Sequence, residues 1–95
     1  MEIFPTHTKI EKIIEIKSGT IVMENPIGFP FDEVNLYMIS PNGETLWKAE
    51  KPEPRILFAK VKLTDDFPIS TFTTNGLFCD INLETGKIIS SSSFR

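Results

Sequence analysis

The chain has one cysteine, one histidine, one tryptophan and one tyrosine in 95 residues, and its ten Lys and Arg fall short of its thirteen Asp and Glu. Each scarcity excludes something. A single Cys79 cannot form an internal disulfide, so the chain is not a crosslinked scaffold, and a free thiol suits a reducing compartment; the cytoplasm is the expected location. One histidine and one cysteine cannot build a metal-spaced Cys/His set, and no metal or other cofactor is expected. A net charge of −3 opposes phosphate backbones and anionic membrane surfaces, so neither nucleic acid nor membrane is an expected partner. The longest apolar stretches, such as Ile56-Leu57-Phe58-Ala59, fall far short of the ~18 residues of a membrane span. Charges run through the first twenty residues, so neither a leader nor an anchor is expected.

What remains is an ordinary globular composition, 40% hydrophobic and 24% charged, in a length that suits one domain spanning residues 1–95. Its loudest signals are turns. Pro41-Asn42-Gly43-Glu44 and Thr74-Asn75-Gly76-Leu77 each set Asn-Gly between apolar runs, the dipeptide that most readily takes a type I′ hairpin turn. Ser18-Gly19 and Glu84-Thr85-Gly86 read as two further hairpin turns, the second as a type I turn closed by a glycine bulge. Lys51-Pro52-Glu53-Pro54 and Asp65-Asp66-Phe67-Pro68 are longer connections, where proline bars a central strand.

Between the turns the pattern has period two. Leu77, Cys79, Ile81 and Leu83 share one strand face against Phe78, Asp80 and Asn82; Leu57, Ala59, Val61 and Leu63 do the same against Ile56, Phe58, Lys60 and Lys62. Eight antiparallel strands are predicted, at 9–17, 20–24, 34–40, 44–50, 55–64, 69–74, 77–83 and 87–93. The first is ambiguous. Thr8-Lys9-Ile10-Glu11 fits a helix capping box and Ile10, Ile13 and Ile14 fall at helical spacing, whereas four isoleucines in seven residues, a tight turn and Thr20-Ile21-Val22 favour strand. Strand is the preferred reading.

The segment 36–47 and the segment 77–89 both run strand, glycine turn, strand, with Ile39 and Ile81 lying 42 residues apart. That spacing is in the ~40 to 45 range of a four-stranded propeller blade, and it divides the chain into pseudo-repeats at approximately 1–50 and 51–95. Asn35-Leu36-Tyr37-Met38-Ile39 with Asn42-Gly43-Glu44-Thr45-Leu46-Trp47, and Gly76-Leu77-Phe78-Cys79-Asp80-Ile81 with Glu84-Thr85-Gly86-Lys87-Ile88, resemble the blade signature of quinoprotein-type (PQQ-like) β-propellers. The C-terminal hairpin is also similar to the endings of short bacterial proteins of about this length, and a bacterial source is what that likeness implies. A propeller needs at least ~4 blades to close, and two leave open edges, so the resemblance implies blade-like units without a quinone site. The expected architecture is all-β: an eight-stranded antiparallel meander of two blade-like four-stranded units, packed as a sandwich or open barrel.

No residue stands out as catalytic. His7 reads as an exposed residue of a polar N-terminal stretch, and Cys79 as a buried packing thiol. Asp65-Asp66 and Asp32-Glu33 lack the alternating spacing of a calcium loop and read as solvated turns. Ser90-Ser91-Ser92-Ser93 reads as a partly solvated edge strand with Phe94 tucked in. The candidate binding residues are Ile27, Phe29 and Phe31, in Pro26-Ile27-Gly28-Phe29-Pro30-Phe31: an apolar loop stiffened by proline either caps the core or forms a contact surface. Trp47 and Tyr37 share that ambiguity.

The expected function is a non-enzymatic protein-interaction module engaging a protein partner through this loop or an open sheet edge, as a monomer or small homo-oligomer. Two alternatives stand beside it. One is a bacterial immunity protein that neutralises a toxin; the other is a small-molecule binder or enzyme with its site inside a barrel.

Overall fold

The computed structural model describes residues 3–63 and 68–93 of the chain. Its elements are β1 (Ile10–Ile16), β2 (Gly19–Glu24), β3 (Leu36–Ile39), β4 (Thr45–Lys48), β5 (Phe58–Leu63), β6 (Ile69–Thr73), β7 (Leu77–Ile81) and β8 (Ile88–Ser93). They form two four-stranded antiparallel sheets, β1-β2-β3-β4 and β5-β6-β7-β8, each a meander of consecutive strands. Among the described residues the two sheets do not join into a closed barrel. The Asp65-Asp66 pair and Phe94 lie outside the described residues.

Residues 10–16 are strand rather than helix. β1 pairs with β2 from Ile10↔Glu24 to Ile16↔Gly19, so its isoleucines are neighbours of β2 and not of one another. Gly19 is buried in the strand at this corner, where an added Cβ would collide with the Ile39 carbonyl and lie 3.0 Å from Met38 Cε. The absence of a side chain lets β2 and β3 approach.

Cross-strand partners share a face, and each sheet contributes one apolar row to the interior. Ile14, Ile21, Met38 and Trp47 are successive partners across the first sheet. Leu63, Ile69, Ile81 and Ile88 are successive partners across the second. Together with Met23, Leu36, Ala49, Phe58 and Val61 these rows make the core, which belongs to both sheets at once.

Three local expectations are corrected, the third at the last hairpin. The first concerns β5, where alternation assigns Phe58 and Val61 to opposite faces. Both lie in the core, because a register shift between Phe58 and Lys60 inserts an extra residue and reverses the alternation beyond it. The second concerns the Asn-Gly turns. The Gly43 N–H donates to Ser40 O at 2.9 Å and the Gly76 N–H to Thr73 O at 3.2 Å, so the central turn residues are Pro41-Asn42 and Thr74-Asn75. Gly43 and Gly76, at φ 91° and 89°, follow as glycine bulges instead of sitting inside type I′ turns. At the last hairpin the Gly86 N–H reaches Asn82 O at 2.8 Å, a turn one residue wider than a type I turn.

Three contacts fasten the sheets to each other. The fully buried Asn35 donates from Nδ2 to Phe58 O at 2.8 Å and accepts the Phe58 N–H at 2.9 Å, so its carboxamide occupies the edge of β5 as a neighbouring peptide would. The same Nδ2 donates to Glu24 O at 2.7 Å. Trp47 Nε1 donates to Leu83 O at 2.9 Å, and its ring lies against Gly86. The Glu50 N–H donates to Gly86 O at 2.8 Å, while Glu50 Oε1 accepts the Ile88 N–H at 2.9 Å.

Candidate functional site

The longest excursion within the first sheet is residues 25–35, between β2 and β3, and its fixed point is Glu24. This carboxylate is fully buried. It accepts five hydrogen bonds: Oε2 from the Thr6 N–H and hydroxyl at 2.8 Å each and from the Tyr37 phenol at 2.5 Å, and Oε1 from the His7 and Thr8 N–H groups at 2.9 and 3.0 Å. Burial alone pushes the carboxyl up, but the bonds from Thr6, Tyr37, Thr8 and His7 outweigh it and hold Glu24 down at about 2. Burial and the Glu24 charge drive the Tyr37 phenol well above its ordinary range. A carboxylate saturated with donors and closed to solvent is an anchor and has no free lone pair with which to act as a general base.

What Glu24 anchors is the segment 3–8, which it draws beside the outer face of the first sheet. Ile3 and Phe4 flank Tyr37 and Ile39 there. His7, exposed as expected, is nonetheless engaged: its ring meets Phe29 edge to face at 5.0 Å and its Nε2 lies 3.0 Å from Glu33 Oε2.

The loop itself is held at nearly every turn. Asn25 Oδ1 accepts the Ile27 N–H at 2.8 Å, the Phe29 N–H reaches Pro26 O at 3.2 Å, and the Glu33 N–H reaches Pro30 O at 3.2 Å. Lys51 reaches over from the connection between the sheets and donates from Nζ to Phe31 O at 2.7 Å and Glu33 O at 3.0 Å. Its partial burial lowers the ammonium, with Asp32 opposing that shift and Arg55 adding to it. The Arg55 guanidinium sits 5.8 Å from the centroid of the Phe31 ring, a cation–π contact.

The three candidate binding residues divide. Phe29 is 3% exposed and caps the core against His7, while Ile27 is 84% exposed and Phe31 54%. Phe29 thus takes the capping position, and Ile27 and Phe31 stand at the surface. Asp32 and Glu33 lie directly beside Phe31 and are exposed. Trp47 and Tyr37 are packing residues, at 7% and 5% exposure. Cys79 is buried, and burial pushes its thiol up despite the Thr71 hydrogen bond, with Asp80 adding to the rise.

Glu24, Asn35 and Lys51 organise the site, and none stands out in the sequence. The one available signal was a charged residue closing the apolar run Ile21-Val22-Met23, which is also the ordinary appearance of a strand end. Among the described residues no group of three His, Cys, Asp or Glu side chains is placed to hold a metal ion, and no helix is long and apolar enough to cross a membrane. In comparisons with known proteins, no family model, no curated protein and no solved structure matches the chain.

Proposed function

We propose that this chain is a non-enzymatic protein-interaction module whose contact surface is the loop 25–35, with Ile27 and Phe31 as the apolar anchors and Asp32 and Glu33 as an acidic flank. The observation that carries the reading is the contrast between exposure and restraint. Ile27 and Phe31 are the loop's two exposed large apolar side chains, yet their backbone is pinned by Asn25, Lys51 and two turn hydrogen bonds. A loop ordered before contact loses little conformational entropy on binding, which is what a hot spot requires. The acidic flank selects a partner with an apolar pocket rimmed by positive charge.

A toxin neutralised by this chain would be one such partner, the reading of a bacterial immunity protein, and the free cysteine supports a cytoplasmic setting for it. The resemblance to PQQ-like blades enters here as a proposal about architecture, one with which two four-strand meanders are compatible, and carries no quinone chemistry.

The test is recovery of partners from the source cells by the intact chain and by an Ile27→Ser, Phe31→Ser double variant. Loss of a specific partner with the variant supports the reading, and equal recovery from both removes the loop from it.

A further inference from the structure

Two separate meanders leave four strands with one open side, β1 and β4 in the first sheet and β5 and β8 in the second. An open side offers unpaired N–H and C=O groups to any other strand, so folded proteins blunt it with charge, proline, a bulge or a cover. Three of the four are blunted. β1 carries Glu11, Lys12 and Glu15 and shifts register between Ile10 and Lys12. β4 is four residues long, shifts register opposite Met38 and Ile39, and ends in Lys48. β5 carries Lys60 and Lys62, and the Asn35 carboxamide occupies its edge at Phe58.

β8 lacks such a device over most of its length. Its register shift lies at its start, between Ile81↔Ile88 and Asp80↔Ser90, where Glu50 Oε1 also takes the Ile88 N–H at 2.9 Å. From Ser90↔Asp80 to Ser93↔Leu77 the strand pairs regularly, with neither charge nor proline, and Ile89 to Ser93 are all exposed. Among the described residues no backbone group of Ile89–Ser93 has a hydrogen bond outside β7. The sequence also says which strand such an edge accepts. A two-fold axis through an antiparallel pair sets the residues before it opposite those after it. On β1 an axis at Ile13 opposes Glu11 to Glu15, and on β5 an axis at Val61 opposes Lys60 to Lys62, so both repel their own copies. On β8 an axis at Ser91 opposes Ser90 to Ser92 and Ile89 to Ser93, and no charge meets its like. In a chain of net charge −3, this neutral edge is where two copies approach at least cost.

We propose that two copies of this chain pair antiparallel along β8 about a two-fold axis at Ser91, joining their second sheets into one eight-stranded sheet. The open backbone groups of Ile89–Ser93 supply the main-chain bonds, serine hydroxyls meet across the strands, and Ile89, 58% exposed in the single chain, loses water. The same edge is used on both copies, so assembly stops at two. The contact shares no residue with the loop 25–35, and the dimer and the loop's role stand or fall separately.

The experiment is sedimentation equilibrium of the full chain at low salt from about 10 μM to about 1 mM, with Ser91→Lys and Ser91→Glu variants alone and mixed in equal amounts. The expected result is a reversible monomer–dimer equilibrium of the natural chain within that range and a dimer weakened roughly fivefold or more in each variant alone. The mixture should recover it, because lysine then faces glutamate across the axis. ¹⁵N spectra of the natural chain over the same dilution should shift at the amides of residues 89–93. Spectra of the variants verify that they fold, and the dilution shifts need no variant, so misfolding of either leaves the test intact. A natural chain monomeric up to about 1 mM would overturn the proposal, as would growth beyond a dimer. So would an unaltered dimer in both folded variants, a mixture no tighter than either variant alone, or dilution shifts confined to other strands. A monomeric chain whose amides 89–93 shift instead with an unrelated extended peptide would make the edge a peptide site, and would overturn it too.

Discussion

The phenol of Tyr37 on β3 donates to the carboxylate of Glu24 on β2 at 2.5 Å, and the same carboxylate collects the backbone of Thr6, His7 and Thr8. One side chain thereby ties together the segment ahead of β1, the end of β2 and the middle of the first sheet. The loop carrying Ile27 and Phe31 begins at the next residue, so its starting point is among the most restrained in the molecule.

Acid should draw stability out of the fold through this anchor. Folding moves Glu24 from an ordinary 4.5 down to about 2, so the folded chain holds that proton less tightly than the unfolded one. The linked stability, roughly 3 kcal/mol, is fully present above about pH 4.5 and is lost as the pH falls towards 2. Urea unfolding at pH 7 and pH 3 should show about two-thirds of this loss in the natural chain. A Glu24→Gln variant should be less stable at pH 7 and show a correspondingly smaller drop between the two pH values.

Asn35 should be intolerant even of its nearest isostere. Asn35→Asp removes the donor to Phe58 O and Glu24 O and places a charge where the side chain is fully buried. A loss on the order of 3 kcal/mol is expected in chemical denaturation at pH 7.

Gly86 serves as the seat of Trp47. It holds φ 76°, and a Cβ there would stand 2.6 Å from Trp47 Cε3. Gly86→Ala should therefore cost about 1 to 3 kcal/mol, through both backbone strain and displacement of the ring. Because Trp47 is the chain's single tryptophan, its emission should shift in the folded variant.

The three apolar residues of the loop should separate by stability alone. Phe29→Ala removes a buried ring and should cost about 3 kcal/mol or more. The Ile27→Ser, Phe31→Ser double variant alters exposed side chains and should stay within about 0.5 kcal/mol of the natural chain. Thermal and urea unfolding of the two variants side by side would distinguish them.

These predictions rest on features of unequal legibility. The eight strands and the four hairpins could be read from period-two alternation and from glycine at 43, 76 and 86, because both signals are local. The ambiguity at 9–17 resolved to strand because β2 offered a partner in register, and tertiary pairing outweighed a helical spacing of three isoleucines. Alternation puts Phe58 on the wrong face, because a bulge is invisible to it. Asn-Gly at 42–43 and 75–76 points to turns one residue further along than those formed, since the dipeptide serves a glycine bulge as readily as a type I′ turn. Glu24 and Asn35 could not be read at all: their partners lie 11 to 23 residues away, and no periodicity encodes a buried carboxylate's donors. The loop was legible as a unit, but with no period its buried ring could not be told from its exposed one.

The central claim is that Ile27 and Phe31 are presented on a loop already ordered in the free chain, and backbone ¹⁵N relaxation tests it most directly. Order parameters for the amides of residues 27–33, Pro30 excepted, should match the strands, at about 0.85 on the scale where a rigid backbone lies. Values below about 0.6 across the same residues would mean a loop that orders only on contact, and would contradict the account.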